Sequence, residues 1–346
     1  MDDSVTYKTA GVDIDAGMES LRRIKKAAAA THNTSVLTGL GSFGSLFDMG
    51  ATLKEFQEPV LVQSVDGVGT KLMVARMMGR YDTVGVDLVN HCCNDILCQG
   101  ARGLTFLDYI AVDVLKPEQI EALVTGMAKA CAANGVALVG GETAELPGVY
   151  AAGEYDLVGL ITGVVDKSKI ITGRDIKKGD VIIGLKSSGL HTNGYTLARK
   201  VLFDRMGFGV DSHHPELGTT VGEALLASHR DYSRPLLPVF EKRRVKGVAH
   251  ITGGGLIDNV PRILPSNVDA VFKTSSWTVP ALFRLIAQGG AVPKDDMYRS
   301  TNMGVGIILV VSPEEASAVA GDLKDAGEEP MFIGEIAEGS GATRLE

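Results

Sequence analysis

At 346 residues the chain is long enough for about two domains, each with a core of its own. Hydrophobic content of 45 % with 42 glycines fits a loop-rich α/β enzyme and excludes a disordered or fibrous chain. A net charge of −8 argues against nonspecific nucleic-acid binding, so a phosphate-bearing ligand has to be held locally, by glycine loops, lysines or a metal ion.

The first residues, Met1-Asp2-Asp3-Ser4, are acidic and lack an apolar stretch, so no signal peptide is expected. Residues 13–30 carry strong helix formers, and Lys25 and Lys26 read as a solvated helix face. Gly39-Leu40-Gly41-Ser42-Phe43-Gly44 matches the dinucleotide fingerprint letter for letter. That fold needs a strand directly before the glycines, whereas an alanine-lysine helix and a polar turn precede them here. The stretch is expected to be a flap of Gly41, Ser42, Phe43 and Gly44 that closes over a ligand.

Pro59–Val65 reads as a buried strand and runs into Asp66-Gly67-Val68-Gly69-Thr70-Lys71. Gly67 and Gly69 allow a tight turn that presents N–H groups to an anion. Lys71 adds a positive charge for phosphate, and Asp66 at a strand end suits a divalent cation. A helix is expected over Val84–Gln99, with Asp87, Asn90 and Asn94 on one face and Asp95 beside them. The cysteines are Cys92, Cys93, Cys98 and Cys131, with no C-x-x-C pair, which predicts reduced thiols in the cytoplasm rather than zinc or disulfides.

Leu104–Val112 reads as a strand and Pro117–Asn134 as a helix stopped by Gly135. Val136–Val139 then enters Gly140-Gly141-Glu142-Thr143-Ala144-Glu145, a second strand–glycine–carboxylate unit. Paired strand-end acids are what a magnesium–nucleotide site uses. Tyr155–Val165 closes this half as a strand, and the charged 166–180 segment reads as the inter-domain connection.

In the second half, strand Val181–Lys186 leads to the polar loop Ser187–Tyr195 and a helix from about Thr196. His191 in that loop is placed for acid, base or oxyanion work. Val248–Ile257 repeats the theme, with Gly253, Gly254 and Gly255 between a strand and a helix, a cradle for a phosphate monoester. Met297–Gly304 is a polar loop before the last core strand, Val305–Val311, whose apolar run is too short to span a bilayer. A helix over Pro313–Gly327 and a strand over Pro330–Ala337 complete the chain, and no Walker A sequence is present.

Five stretches in this order resemble phosphoribosylaminoimidazole synthetase, also called phosphoribosylformylglycinamidine cyclo-ligase: Asp66–Lys71, Gly140–Glu145, His191–Tyr195, His250–Gly255 and Asn302–Gly306. The resemblance runs from about Tyr7 to Gly334, with departures at Ser42 in the flap, often glycine in relatives, and at Thr301, often phenylalanine. It implies an α/β fold of mixed sheets in two domains, 1–167 for ATP binding and dimerisation and 168–346 for substrate. The N-terminal half would form a barrel-like core shared across a homodimer, and the C-terminal half a mixed sheet with flanking helices. The implied reaction is ATP-dependent closure of formylglycinamidine ribonucleotide to 5-aminoimidazole ribonucleotide, with ADP and phosphate released.

The same resemblance implies Mg²⁺ on Asp66, Asp95 and Glu142, with space for a monovalent cation. Lys71, His191 and Asn193 would be catalytic. ATP and substrate would be bound by Gly41, Ser42, Phe43, Gly44, Gly67, Gly69, Thr70, Thr143, Thr192, His250, Thr252, Gly253, Gly254 and Gly255. The partner is a small molecule, not nucleic acid or membrane. Competing readings are a sister enzyme making selenophosphate, phosphorylating thiamine phosphate or aminating the upstream purine intermediate, and a non-catalytic nucleotide-binding scaffold. The complete second-half motifs favour the cyclo-ligase.

Overall fold

The computed structural model describes residues 5–346, so the acidic start that carried the signal-peptide expectation lies outside the described residues. Two compact units emerge: the chain up to Cys93 with Gly103–Asp166, and Asn94–Arg102 with Lys167–Glu346.

The first unit contains β1 (Pro59–Gly67), β2 (Arg102–Val112), β3 (Ala137–Glu145) and β4 (Tyr155–Asp166), in the spatial order β1-β4-β2-β3. β1 runs antiparallel to β4 and β2 parallel to β3, so the sheet is mixed. Its helices are α1 (Ile14–Ala29), α2 (Met49–Leu53), α3 (Lys71–Met78), α4 (Asp82–Leu97) and α5 (Pro117–Asn134), and the last turn of α4 is counted with the second unit. α5 is the crossover that joins the parallel pair. It begins with proline and ends on Gly135 at φ 67, a left-handed cap that glycine adopts without strain. α4 and α5 meet backbone to backbone at Gly126, where a Cβ would lie 1.9 Å from the carbonyl oxygen of Asp82.

β1 is an edge strand rather than the fully buried one its apolar run suggests. Leu61 and Val65 are exposed, and so is Leu160, which faces Val65 across the β1–β4 ladder.

The second unit is built on β5 (Val181–Lys186), a short hairpin of β6 (His213–His214) and β7 (Thr219–Thr220), then β8 (Val245–His250), β9 (Val268–Phe272), β10 (Val305–Val311), β11 (Met331–Glu338) and β12 (Thr343–Leu345). Six of these form one sheet in the order β12-β9-β11-β5-β10-β8, antiparallel except for β12 beside β9. β10 is buried along its whole length, as its unbroken apolar sequence requires. Ile183, Leu185, Val248, Ile307 and Leu309 pack there with Leu236 and Val239 of helix Ser233–Lys242 and Val319 and Leu323 of helix Pro313–Asp325. Among the described residues no helix is long and apolar enough to cross a membrane.

Candidate active site

In the first unit β1 delivers Asp66 at its end. Oδ1 accepts the Gly67 N–H at 2.6 Å, and Oδ2 lies 2.8 Å from Nε2 of the buried His91 on α4. The Asp66 side chain is nevertheless 45 % exposed, so the carboxylate is oriented while remaining accessible. Gly69 takes φ 65, in the left-handed region, which turns the chain from the strand into α3. Thr70 precedes α3 and Lys71 is its first residue.

Lys71 does not stand in an open phosphate loop. Its side chain is fully buried, with Nζ 2.6 Å from a carboxylate oxygen of Asp87, itself fully buried on α4. Burial pushes the Lys71 ammonium down, opposed by the Asp87 charge. The polar face read on α4 is thus used inward: Asp87 holds Lys71, and Asn90 accepts from Asn134.

A cavity of about 910 Å³ opens in the same unit, lined by Gly41, Ser42, Phe43 and Gly44 together with Glu142 and Thr143. The flap is no dinucleotide loop. No strand precedes it, and its stem is closed by an isolated bridge between Val36 and Phe47, with Leu37 N–H donating to Leu46 O at 2.9 Å. Glu142 and Glu145, close in sequence, differ in use. Glu142 is exposed in the cavity, whereas Glu145 accepts the Asp13 N–H at 2.6 Å and the Leu115 N–H at 2.8 Å, pinning two segments of the rim. Asp66, Gly67, Gly69 and Thr70 are not among the lining residues.

Asp108 on β2 also lines the cavity and was not anticipated. It pairs with Gly141 across the β2–β3 ladder, where a Cβ would lie 2.6 Å from its Oδ1, so glycine at 141 makes room for this carboxyl. Burial pushes the Asp108 carboxyl up to about 7. The folded chain therefore binds an extra proton between about pH 4 and pH 7, and this group's contribution to stability is lost as pH rises through that range. Asp108→Asn is expected to match the parent's stability at about pH 4 and exceed it at pH 8. Urea denaturation at both values checks this, and parallel curves for the two proteins would refute it.

In the second unit the loop after β5 holds His191 at φ 62, an uncommon conformation for a residue with a side chain. Its ring is buried, its Nε2 accepts the Ser188 N–H at 3.1 Å, and it stacks on His229 with centroids 4.0 Å apart. Asn193 Nδ2 donates to Thr192 Oγ1 at 3.3 Å. The Asn193 amide also stands over the glycine triplet, since a Cβ on Gly253 would lie 3.0 Å from its Oδ1. The structure thus brings together Thr192, Asn193 and Gly253. Gly254 and Gly255 take φ 101 and 58, and a Cβ on Gly255 would strike the Tyr298 carbonyl at 1.9 Å.

Asn259, also not anticipated, ties that loop: its Nδ2 donates to Gly255 O at 2.9 Å and Gly253 O at 3.2 Å. Asn302 is bonded to the loop that carries His191, with Oδ1 accepting from Ser187 Oγ and Nδ2 donating to Gly189 O, both at 2.9 Å. Thr301, the departure noted above, is buried and donates to Met297 O at 2.8 Å. Asp95 belongs to this unit and not to the one carrying Asp66 and Glu142. Its Oδ1 is 2.8 Å from Nδ1 of His250.

Both halves of the chain match one superfamily: residues 48–165 match the AIR synthase related protein N-terminal domain, and residues 177–345 the C-terminal domain. Among solved structures, thiamine-monophosphate kinase from Stenotrophomonas maltophilia K279a shares the fold, with a TM-score of 0.71 at 17 % identity over 95 % of this chain and 96 % of that one. Hydrogenase maturation protein HypE, solved in complex with ATP, gives 0.65 at 17 % identity over 92 % and 88 %. The chain is therefore an AIR synthase related protein of mixed α/β fold. The phosphoribosylformylglycinamidine cyclo-ligase of Alkaliphilus oremlandii (strain OhILAs) is 47 % identical over 97 % of this chain and 98 % of its own length. The chain belongs to the phosphoribosylformylglycinamidine cyclo-ligase family and is an enzyme of that type.

Proposed function

We propose that the chain converts formylglycinamidine ribonucleotide and ATP to 5-aminoimidazole ribonucleotide, ADP and phosphate, in purine biosynthesis. The observation that carries this is the meeting of the His191–Asn193 loop with the Gly253–Gly255 loop in a chain so close to curated cyclo-ligases.

An amide oxygen is a poor leaving group. Its attack on the γ-phosphorus releases ADP and forms an iminophosphate; a substrate nitrogen then attacks that carbon, loses a proton and expels phosphate. Such chemistry depends on positioning and charge neutralisation. In the second unit, His191 and Asn193 polarise the formyl oxygen, and the N–H groups of Gly253 and Gly254 hold the ribose phosphate, the Gly255 N–H being given to Thr252 O at 2.9 Å. Thr192 and Thr252 belong to these two loops, and His250 stands at the end of the strand before the triplet. In the first unit, the 910 Å³ cavity takes ATP beneath the flap, which excludes water. That a protein sharing this fold was solved in complex with ATP supports nucleotide use.

Asp66 and Glu142 present accessible carboxylate oxygens, the hard donors Mg²⁺ prefers. An ion held by Glu142 would neutralise phosphate charge in the cavity, which Asp66 does not line. Asp95, engaged by His250, is reassigned to orienting that ring, and Lys71, sealed against Asp87, to supporting the Asp66 turn.

The test is to supply formylglycinamidine ribonucleotide, ATP and Mg²⁺ and follow ADP and the aminoimidazole together. Equal yields are expected; ADP without imidazole would overturn the reading in favour of a sister kinase. We also assign a cytoplasmic setting and a homodimer, the latter because Leu61, Val65 and Leu160 leave an apolar stripe open on the first sheet. Sedimentation velocity should give a dimer, and a monomer at micromolar concentration would exclude it.

A further inference from the structure

Asp95, His250 and His229 form one hydrogen-bonded line within the second unit. An ionised carboxylate only accepts, so the 2.8 Å contact to Asp95 Oδ1 places a proton on Nδ1 of His250. In the neutral ring Nε2 is then an acceptor, and the 2.9 Å contact places a proton on Nε2 of His229. His229 and His250 are 1 % and 6 % exposed, so protein contacts, not water, set their planes.

The free face of this line is taken by His191. Its ring stacks on His229 with the planes 20° apart and centroids 4.0 Å apart. The Ser188 N–H on Nε2 makes Nδ1 the proton-bearing nitrogen of His191. The backbone there is left-handed, so local conformational preference does not hold the ring where it is.

Three imidazoles whose ligand atoms lie within 4.8 Å of one another also resemble a metal site. Their geometry argues against one. An imidazole lone pair lies in the ring plane, so two stacked rings aim theirs side by side rather than at a common ion. The 2.9 Å Nε2···Nε2 contact is also shorter than the ~3.3 Å between two nitrogens on a tetrahedral zinc.

We propose that His229 is a positioning residue for ring closure, passing the orientation fixed by Asp95 and His250 to the His191 ring through one N–H and one ring face. This rests on the reading of His191 as the group that polarises the formyl oxygen.

The experiment compares kcat and KM of cyclisation for His229→Ala, His229→Gln, His191→Ala and the double alanine variant. His229→Ala should lower kcat about tenfold or more with KM within about twofold, because misorientation is felt at the transition state. His229→Gln, closer in volume, keeps an N–H for His250 Nε2 and should recover part of the loss, which also guards against a folding defect in the alanine variant. The double variant should be no slower than His191→Ala, since His229 acts only through His191. Imidazole ¹⁵N signals of the ligand-free protein should show His250 as the Nδ1–H tautomer and His229 as the Nε2–H tautomer; in His229→Ala the His250 tautomer, held by Asp95, should persist while the His191 signals shift.

A slow His191→Ala beside an unchanged His229→Ala would overturn this inference alone, as would additive losses. An unchanged His191→Ala would overturn the site reading and this inference with it. Stoichiometric zinc in the purified protein, lost in His229→Ala, would replace the hydrogen-bonded line with a metal centre.

Discussion

Lys71→Ala is expected to lower the free energy of unfolding by about 3–5 kcal/mol, because it strands the Asp87 carboxylate in a core where neither side chain reaches solvent. The sequence neighbourhood, two glycines and a threonine before a lysine, suggests a ligand contact whose loss would leave stability nearly unchanged. Urea denaturation separates the two. The pair Lys71→Met with Asp87→Leu removes both charges and should recover most of the loss, since well-packed apolar replacements of buried ion pairs are often neutral. Activity that returns with stability would assign Lys71 to architecture. Stability without activity would return it to phosphate. A loss below about 1 kcal/mol for Lys71→Ala would mean that water reaches Asp87, contrary to the burial seen here.

Gly306→Ala should disturb the His191 ring directly. A Cβ there would lie 2.0 Å from Tyr232 Oη and 2.7 Å from His191 Cε1. Tyr232 has little room to yield, being fully buried with its hydroxyl donating to Lys186 O at 2.8 Å. Overpacking of this kind costs about 1–3 kcal/mol, and the strain falls on the ring placed at the substrate. A fall in kcat of more than about tenfold is expected, beyond any loss of folded protein, because small displacements of a catalytic group are costly. Steady-state kinetics on protein shown to be folded by circular dichroism checks this. Parent-like kcat would mean the His191 ring has room to shift.

What the sequence disclosed follows from how local each determinant is. α5 was legible at both ends because Pro117 and Gly135 act on their own backbone. β5 was legible because a short apolar run is bounded by charge. β9 was not: it has five residues, and one of them is Asp269, whose carboxylate serves the Ser340 and Ala342 N–H groups outside the strand. The first strand–glycine–carboxylate unit marked the end of β1, whereas Gly140–Glu145 lies inside β3, paired along β2, and neither unit could tell which acids face a ligand. Glu145 clamps backbone while Glu142 faces the cavity, and Asp108 shows itself only through its partner Gly141 on a neighbouring strand. The same holds for His229. Nothing in Ala227-Ser228-His229-Arg230 signals a role, and only folding sets three of the chain's seven histidines against one another.

The flap has a practical consequence. Phe43 stands fully exposed at its tip, while the stem is stitched by Leu37 to Leu46 and by the Asp48 N–H on Ser35 O at 2.7 Å. A protease that cleaves after aromatic residues should therefore nick the native chain first at Phe43, where an unpaired tip can enter its cleft. The two fragments should stay together, since the stem and the helices beyond it hold both cut ends. Nucleotide in the cavity below should slow the cut by drawing the tip inward, so that one band on a gel would time the filling of the cavity.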